Sequence, residues 1–163
     1  MLQNPVLHKL EACLQREIQA GGQLLEALRR EHRALAARDL AGLDAAVVQK
    51  AGLVAVMEDC GRERSELLRA AGFAADRAAM DALLDRHDPQ RRSPVPRDWS
   101  RLLEIGAECQ RQNLINGIII QAGQQQTRQA LAILRGQPAV AGGEYGPEGT
   151  RRTAPSAHPL AKA

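Results

Sequence analysis

The sequence predicts an all-α fold: an elongated antiparallel helical bundle, or coiled coil, of three long helices plus one short helix, with a flexible C-terminal tail. Three observations predict it. Leucines and valines recur at multiples of seven along two long stretches, a period that lays one apolar seam along a helix. Apolar residues make up 44% of the chain but aromatics only 2%, so the core is thin and suits helices packed side by side. After Gly136 the pattern stops, and Gln137 to Ala163 is broken by four glycines and four prolines. The expected organisation is a helical domain over 1–136 and a Gly/Pro-rich tail over 137–163.

The first helix is expected to start near Pro5, because proline is tolerated in a first helical turn. Its seam runs through Leu7, Leu14, Leu28 and Leu35, with Gly21 in the vacant slot, and Leu10, Ile18, Leu24 and Leu25 widen the stripe. Gly21-Gly22 costs such a helix roughly 1–2 kcal/mol relative to alanines, and marks a kink or a close crossing by another helix. Asp39 is a natural N-cap for the second helix. There Leu40, Val47, Val54 and Leu68 form the seam with Gly61 in the gap, and Leu43 and Met57 form a companion row. Lys50 and Arg64 fall in that companion row. They either snorkel to water along the seam edge or pair with Glu17 or Glu31 of the first helix and so fix register. Gly72 reads as the stop of the second helix.

A short third helix is expected from Asp76, as N-cap, to about His87, carrying Met80, Leu83 and Leu84. Pro89, Pro94 and Pro96 then make a connector that no helix crosses. The fourth helix is expected from Asp98-Trp99 to Gly136. Its seam passes through Trp99, Leu102, Leu103, Gly106, Cys109, Asn113, Asn116, Ile120, Gly123, Thr127, Ala130 and Leu134, and it is polar or small midway. Ile118-Ile119-Ile120 is β-branched, but the flanking alanines and glutamines and the continuing period favour helix.

Composition narrows the function. The net charge is +3, from 22 basic and 19 acidic residues interspersed along the helices, so nucleic-acid binding gains little support. Cys13, Cys60 and Cys109 are odd in number and far apart, which argues against a disulfide framework and fits small core residues in a reducing compartment. His8, His32, His87 and His158 show no metal-ligand spacing. No nucleophile motif or phosphate loop is present. The N-terminus lacks an apolar leader, and unbroken apolar runs are short. A cytoplasmic protein with no catalytic, cofactor or metal site is therefore expected.

Two places suggest partner binding. Asn113 and Asn116 lie three apart on one helix face. They either specify register inside a seam or meet a partner's polar groups, with Gln121, Gln124, Gln125, Gln126 and Gln129 as a neutral flank. Tyr145, the only tyrosine, sits between glycines in the tail. It either packs back on the chain or enters a partner's pocket with its hydroxyl held there.

Several motifs, in order and at their spacing, resemble the FlgN-type flagellar export chaperones over nearly the whole chain. They are Glu31-His32-x-Ala34-Leu35, then Arg38-Asp39-x-x-x-Leu43 with Lys50, then Asn113-x-x-Asn116-Gly117. Ala130-Leu131-x-Ile133-Leu134-x-Gly136 and Tyr145 with Gly149 follow. The resemblance implies a cytosolic type III export chaperone for hook-associated proteins of the hook-filament junction. It implies that the chaperone keeps them unpolymerised and delivers them to the flagellar type III export gate and its ATPase complex. The implied cargo element is a terminal amphipathic helix, disordered before assembly. By the same resemblance, Asn113, Asn116, Ile119, Ile120, Leu131, Leu134 and Tyr145 contact the cargo helix or the export gate. No nucleic acid, membrane insertion or cofactor is implied, and a homodimer is compatible. Two other readings stay open: a structural coiled-coil subunit of another assembly, and a nucleic-acid-binding module using Arg91-Arg92 and Arg151-Arg152, whose binding would be strongly salt-dependent.

Overall fold

The structure, a computed structural model, describes residues 4–135. The expected tail over 137–163, including Tyr145, lies outside the described residues. The described residues form an all-α fold with four helices: α1 (Pro5–Ala37), α2 (Leu40–Ala70), α3 (Arg77–His87) and α4 (Val95–Leu134). The chain divides into two units, Met1–Gln121 and Ala122–Ala163.

Local chemistry sets the helix ends. The Asn4 side chain accepts from the Val6 N–H, Asp39 from Gly42 and Asp76 from Ala79, so each helix start has one otherwise orphaned donor satisfied. Gly72 ends α2 with φ +84°. Its N–H donates to Arg69 and that of Phe73 to Leu68, the paired bonds of a Schellman stop that a glycine makes without strain. The proline connector is shorter than expected. α4 already begins at Val95, because Pro96 falls in its first turn, where a missing N–H costs nothing. Asp88 ties the connector: its carboxylate accepts from the Ser93 hydroxyl at 2.6 Å and from the Arg92 and Ser93 N–H groups at 2.9 and 3.0 Å. These bonds, the Ser93 hydroxyl first, hold its pKa below the ordinary carboxylate range.

In the first unit α1 and α2 form an antiparallel hairpin. Two buried ion pairs fix its register: Glu17 with Arg64, bidentate at 2.9 and 3.1 Å, and Glu31 with Lys50 at 2.6 Å. Lys50 and Arg64 therefore set register rather than merely snorkel. Arg64 also lies over the Trp99 ring of α4, 5.0 Å from its centroid. α4 follows α1 in parallel: Cys109 faces the Gly21 carbonyl, and Asn116 bonds the Leu28 carbonyl. Because α1 touches both α2 and α4, its buried stripe is wider than one seam. Cys13, Ala20, Ala27 and Ala34 are buried beside Leu14 and Leu28.

The α2 seam needs correction. Leu40, Val47 and Val54 are exposed at 76%, 43% and 39%, while the residues buried in α2 are Ala46, Cys60 and Leu68. The small side chains of Ala46 and Cys60 face α1, letting the two helices approach closely. The valines are left outward. By length and composition α2 is also apolar enough to cross a membrane, which short unbroken apolar runs did not suggest.

The main core lies where α3 and the start of α4 close on the hairpin. Leu10, Leu14, Leu68, Met80, Leu83, Leu84, Val95, Trp99 and Leu102 pack together, with Phe73 and Val6 against them. The expected α3 residues Met80, Leu83 and Leu84 are each at most 1% exposed.

Gly21 and Gly22 play different parts. A Cβ at Gly21 would sit 2.9 Å from Ile105 Cγ2, whereas one at Gly22 meets nothing within 4 Å. Gly21 is the close crossing, made by α4. Gly22→Ala is expected to raise stability by about 0.5–1 kcal/mol through helix propensity alone. Gly21→Ala is expected to lose that gain to the clash with a stiff β-branched side chain. Thermal unfolding of the two variants checks this; equal stabilisation would contradict the crossing.

All three cysteines are free. Burial first, then the Glu63 and Glu17 carboxylates, push the Cys13 thiol up to about 11. Only about one Cys13 in a thousand is then thiolate at pH 8, so a thiol reagent should label it only as the chain unfolds. Because the folded chain holds this proton more tightly, the same shift makes stability fall as pH rises from about 9 through 11. Rapid labelling of Cys13 in the native protein at pH 8, read by mass spectrometry, would contradict its burial.

Candidate functional site

The polar midpoint of α4 is a three-helix junction. The two oxygens of Glu31, itself 2% exposed, are divided: one takes Lys50 of α2 at 2.6 Å and the other Asn116 of α4 at 2.8 Å. The Asn116 amide gives its second proton to the Leu28 carbonyl at 2.9 Å. Its oxygen accepts from Gln112 Nε2 at 3.1 Å and faces His32 Nδ1 at 3.2 Å. Turning the amide over would aim that oxygen at the Glu31 carboxylate, so the network fixes its orientation and places the proton of His32 on Nδ1. Every Asn116 atom able to bond is satisfied, at 1% exposure. The junction is the register device that a buried seam asparagine provides.

Asn113 does not share that environment. It is exposed, and Gln112 is the buried residue at that level. The buried row of α4 runs through Val95, Asp98, Trp99, Leu102, Ile105, Gln112 and Asn116. It lies one residue before the expected Gly106–Asn113 row.

Beyond the junction the helix surface becomes apolar and open. In the first unit Leu114, Ile118 and Ile120 are exposed at 65%, 58% and 37%, with Ile119 half-buried. In the second unit Leu131, Ile133 and Leu134 are exposed at 44%, 62% and 82%. From Gln121 to Arg135 only Ala132 is less than exposed. Of the expected contact residues, then, Asn116 is interior and Ile119 half-buried, while Asn113, Ile120, Leu131 and Leu134 face outward. Leu114, which sequence reasoning passed over, stands among the most exposed apolar side chains. Its signal was available, since it lies four residues before Ile118, one helical turn away.

Such a surface offers no chemistry. Among the described residues no group of three or more His, Cys, Asp or Glu side chains could hold a metal ion. What the arrangement can do is hold another helix: a helical scaffold locked by buried polar bonds presents apolar side chains at helical spacing.

The comparisons with known proteins say which family this helical scaffold, with its exposed apolar side chains on α4, belongs to. The family model for FlgN protein matches residues 1–153. The chain belongs to the FlgN family, which supports a general role as a flagellar export chaperone. It is similar to the crystal structure of a proposed flagella synthesis protein FlgN from Pseudomonas aeruginosa. The identity is 31% and the TM-score 0.59, over 74% of this chain and 90% of that one. Among curated proteins none matches.

Proposed function

We propose that this chain is a cytoplasmic export chaperone that binds hook-associated proteins of the hook-filament junction. It prevents their premature polymerisation and delivers them to the flagellar type III export gate, with no enzymatic step and no cofactor. The observation that carries the reading is the open apolar surface of α4. Ile119 and Ile120 in the first unit, and Leu131 and Leu134 in the second, are the contacts assigned to the cargo helix. Asn113 borders them as a polar contact, while Asn116 holds the scaffold. Tyr145 is assigned to cargo or gate contact on the family resemblance.

The energetics suit the role. A disordered cargo helix spends roughly 2–5 kcal/mol or more on ordering when it binds. Each fully buried leucine or isoleucine returns about 1.5–3 kcal/mol. Several anchors are therefore needed, and α4 presents them. Affinity built from a few such anchors also stays low enough for release at the gate. Co-purification from flagellated cells tests the proposal: hook-associated proteins should be recovered with the chain. Recovery of other structural proteins alone would instead favour a coiled-coil subunit of a different assembly.

A further inference from the structure

Two histidines of the bundle meet asparagine side chains, and the two contacts have opposite polarity. Asn116 turns its oxygen to His32 Nδ1, because its amide nitrogen is committed to Glu31 and the Leu28 carbonyl. Asn4 does the reverse. Its oxygen accepts from the Val6 N–H at 3.1 Å as the N-cap of α1, so its amide nitrogen is what reaches His87 Nδ1, at 2.9 Å. An amide N–H donates only to a bare ring nitrogen. For this bond to exist, His87 must be neutral with its proton on Nε2. Protonation of the ring sets an N–H against an N–H. Turning the Asn4 amide over would relieve that clash but would aim its NH2 at the Val6 N–H and forfeit the cap.

The bond joins the start of α1 to the last turn of α3. At this end of the bundle Val6, Leu7 and Phe73 lie half-buried against the main core. Phe73 meets the His87 ring in a T-shaped contact, centroids 6.2 Å apart. The charged groups near the ring are already engaged or exposed. On α3, the Arg86 guanidinium lies over Phe73, 5.9 Å from its centroid, and Asp85 is paired with Arg91. In the connector that follows, the Asp88 carboxylate is held by Ser93 and the Arg92 N–H. On α1, His8 follows Asn4 by one turn and is exposed. The C-terminus of α3 favours an imidazolium, so acid can charge the ring, and Asn4 cannot follow it. We propose that the Asn4–His87 bond is an acid-released strap. It holds α1 to α3 while His87 is neutral and lets go as pH falls through the range in which imidazoles titrate, about 8 to 5. The Asn116–His32 contact persists, because there an oxygen faces the ring. Acid therefore loosens this end of the bundle and leaves the junction of α1, α2 and α4 closed.

NMR on the full chain tests the strap. Long-range proton–nitrogen spectra at about pH 8 should show Nδ1 bare in His87 and protonated in His32. The Val6 and His8 amides, which bond the Asn4 side chain and carbonyl, report on the start of α1. Between about pH 8 and 5.5 their exchange, corrected for the intrinsic rate, should quicken about fivefold, the effect of losing one hydrogen bond. Amides beside the central junction should not respond. Asn4→Asp keeps the cap but offers the ring a carboxylate, so its first-turn protection should rise as pH falls. His87→Gln can accept from Asn4 at any pH and should abolish the response. A proton on His87 Nδ1 at pH 8 would overturn the proposal. So would the same acid response in the wild type and Asn4→Asp, or a loosening that reaches the central junction equally.

Discussion

Glu31→Ala is expected to cost about 2–3 kcal/mol of folding stability. Removing one partner of a buried ion pair ordinarily costs about 3–5 kcal/mol. The lower figure applies because Lys50 keeps a quarter of its side chain in water and can turn outward once released. The rest comes from Asn116, which loses one of its two acceptors inside the bundle. Glu26→Ala is the matched control. Glu26 pairs with Arg33 at 2.9 Å, but its side chain is 44% exposed, so its loss should cost far less, water screening the pair. Denaturant unfolding of both variants checks the contrast. A double-mutant cycle of Glu31 and Asn116 should show strong coupling. Equal effects of Glu31→Ala and Glu26→Ala would contradict the junction.

The second large effect concerns binding. The pair Leu131→Asp and Leu134→Asp is expected to weaken the complex with a cargo helix by a hundredfold or more. Two apolar anchors at about 1.5–3 kcal/mol each account for that loss. Folding stability should hardly change, because both side chains are exposed, Leu134 by 82%. The combination of lost binding with an unmoved unfolding midpoint separates a contact role from a structural one. Asn116→Asp should do the reverse: it sets a carboxylate against the Glu31 carboxylate and destabilises the scaffold itself.

Much of the fold was legible because some signals act locally. Asp39 and Asp76 cap their helices as expected, Gly72 stops α2, and Met80, Leu83 and Leu84 are fully interior. Tertiary choices were harder to read. A seven-residue repeat shows that a helix has a seam, but not which of two adjacent rows meets its neighbour. In α2 both the Val47–Val54 row and the Ala46–Cys60 row are apolar. The smaller row faces α1, since small side chains allow the closer approach. In α4 the seven-residue spacing carries Trp99 on to Gly106 and Asn113, whereas Ile105 and Gln112 are the buried pair. Asn116 could be read either way from sequence. Only the arrival of Glu31, His32 and Gln112 around it distinguishes a register device from a surface amide. The exposed α4 residues were legible as apolar but not as uncovered, because exposure depends on where the other helices end.

The most direct test is calorimetric titration of the full chain with the C-terminal helix of a hook-associated protein. A saturable, stoichiometric complex that weakens on Leu131→Asp with Leu134→Asp is the predicted result. No heat of binding at tens of micromolar, with the chain folded by circular dichroism, would contradict the central claim that exposed apolar side chains of α4 hold a cargo helix.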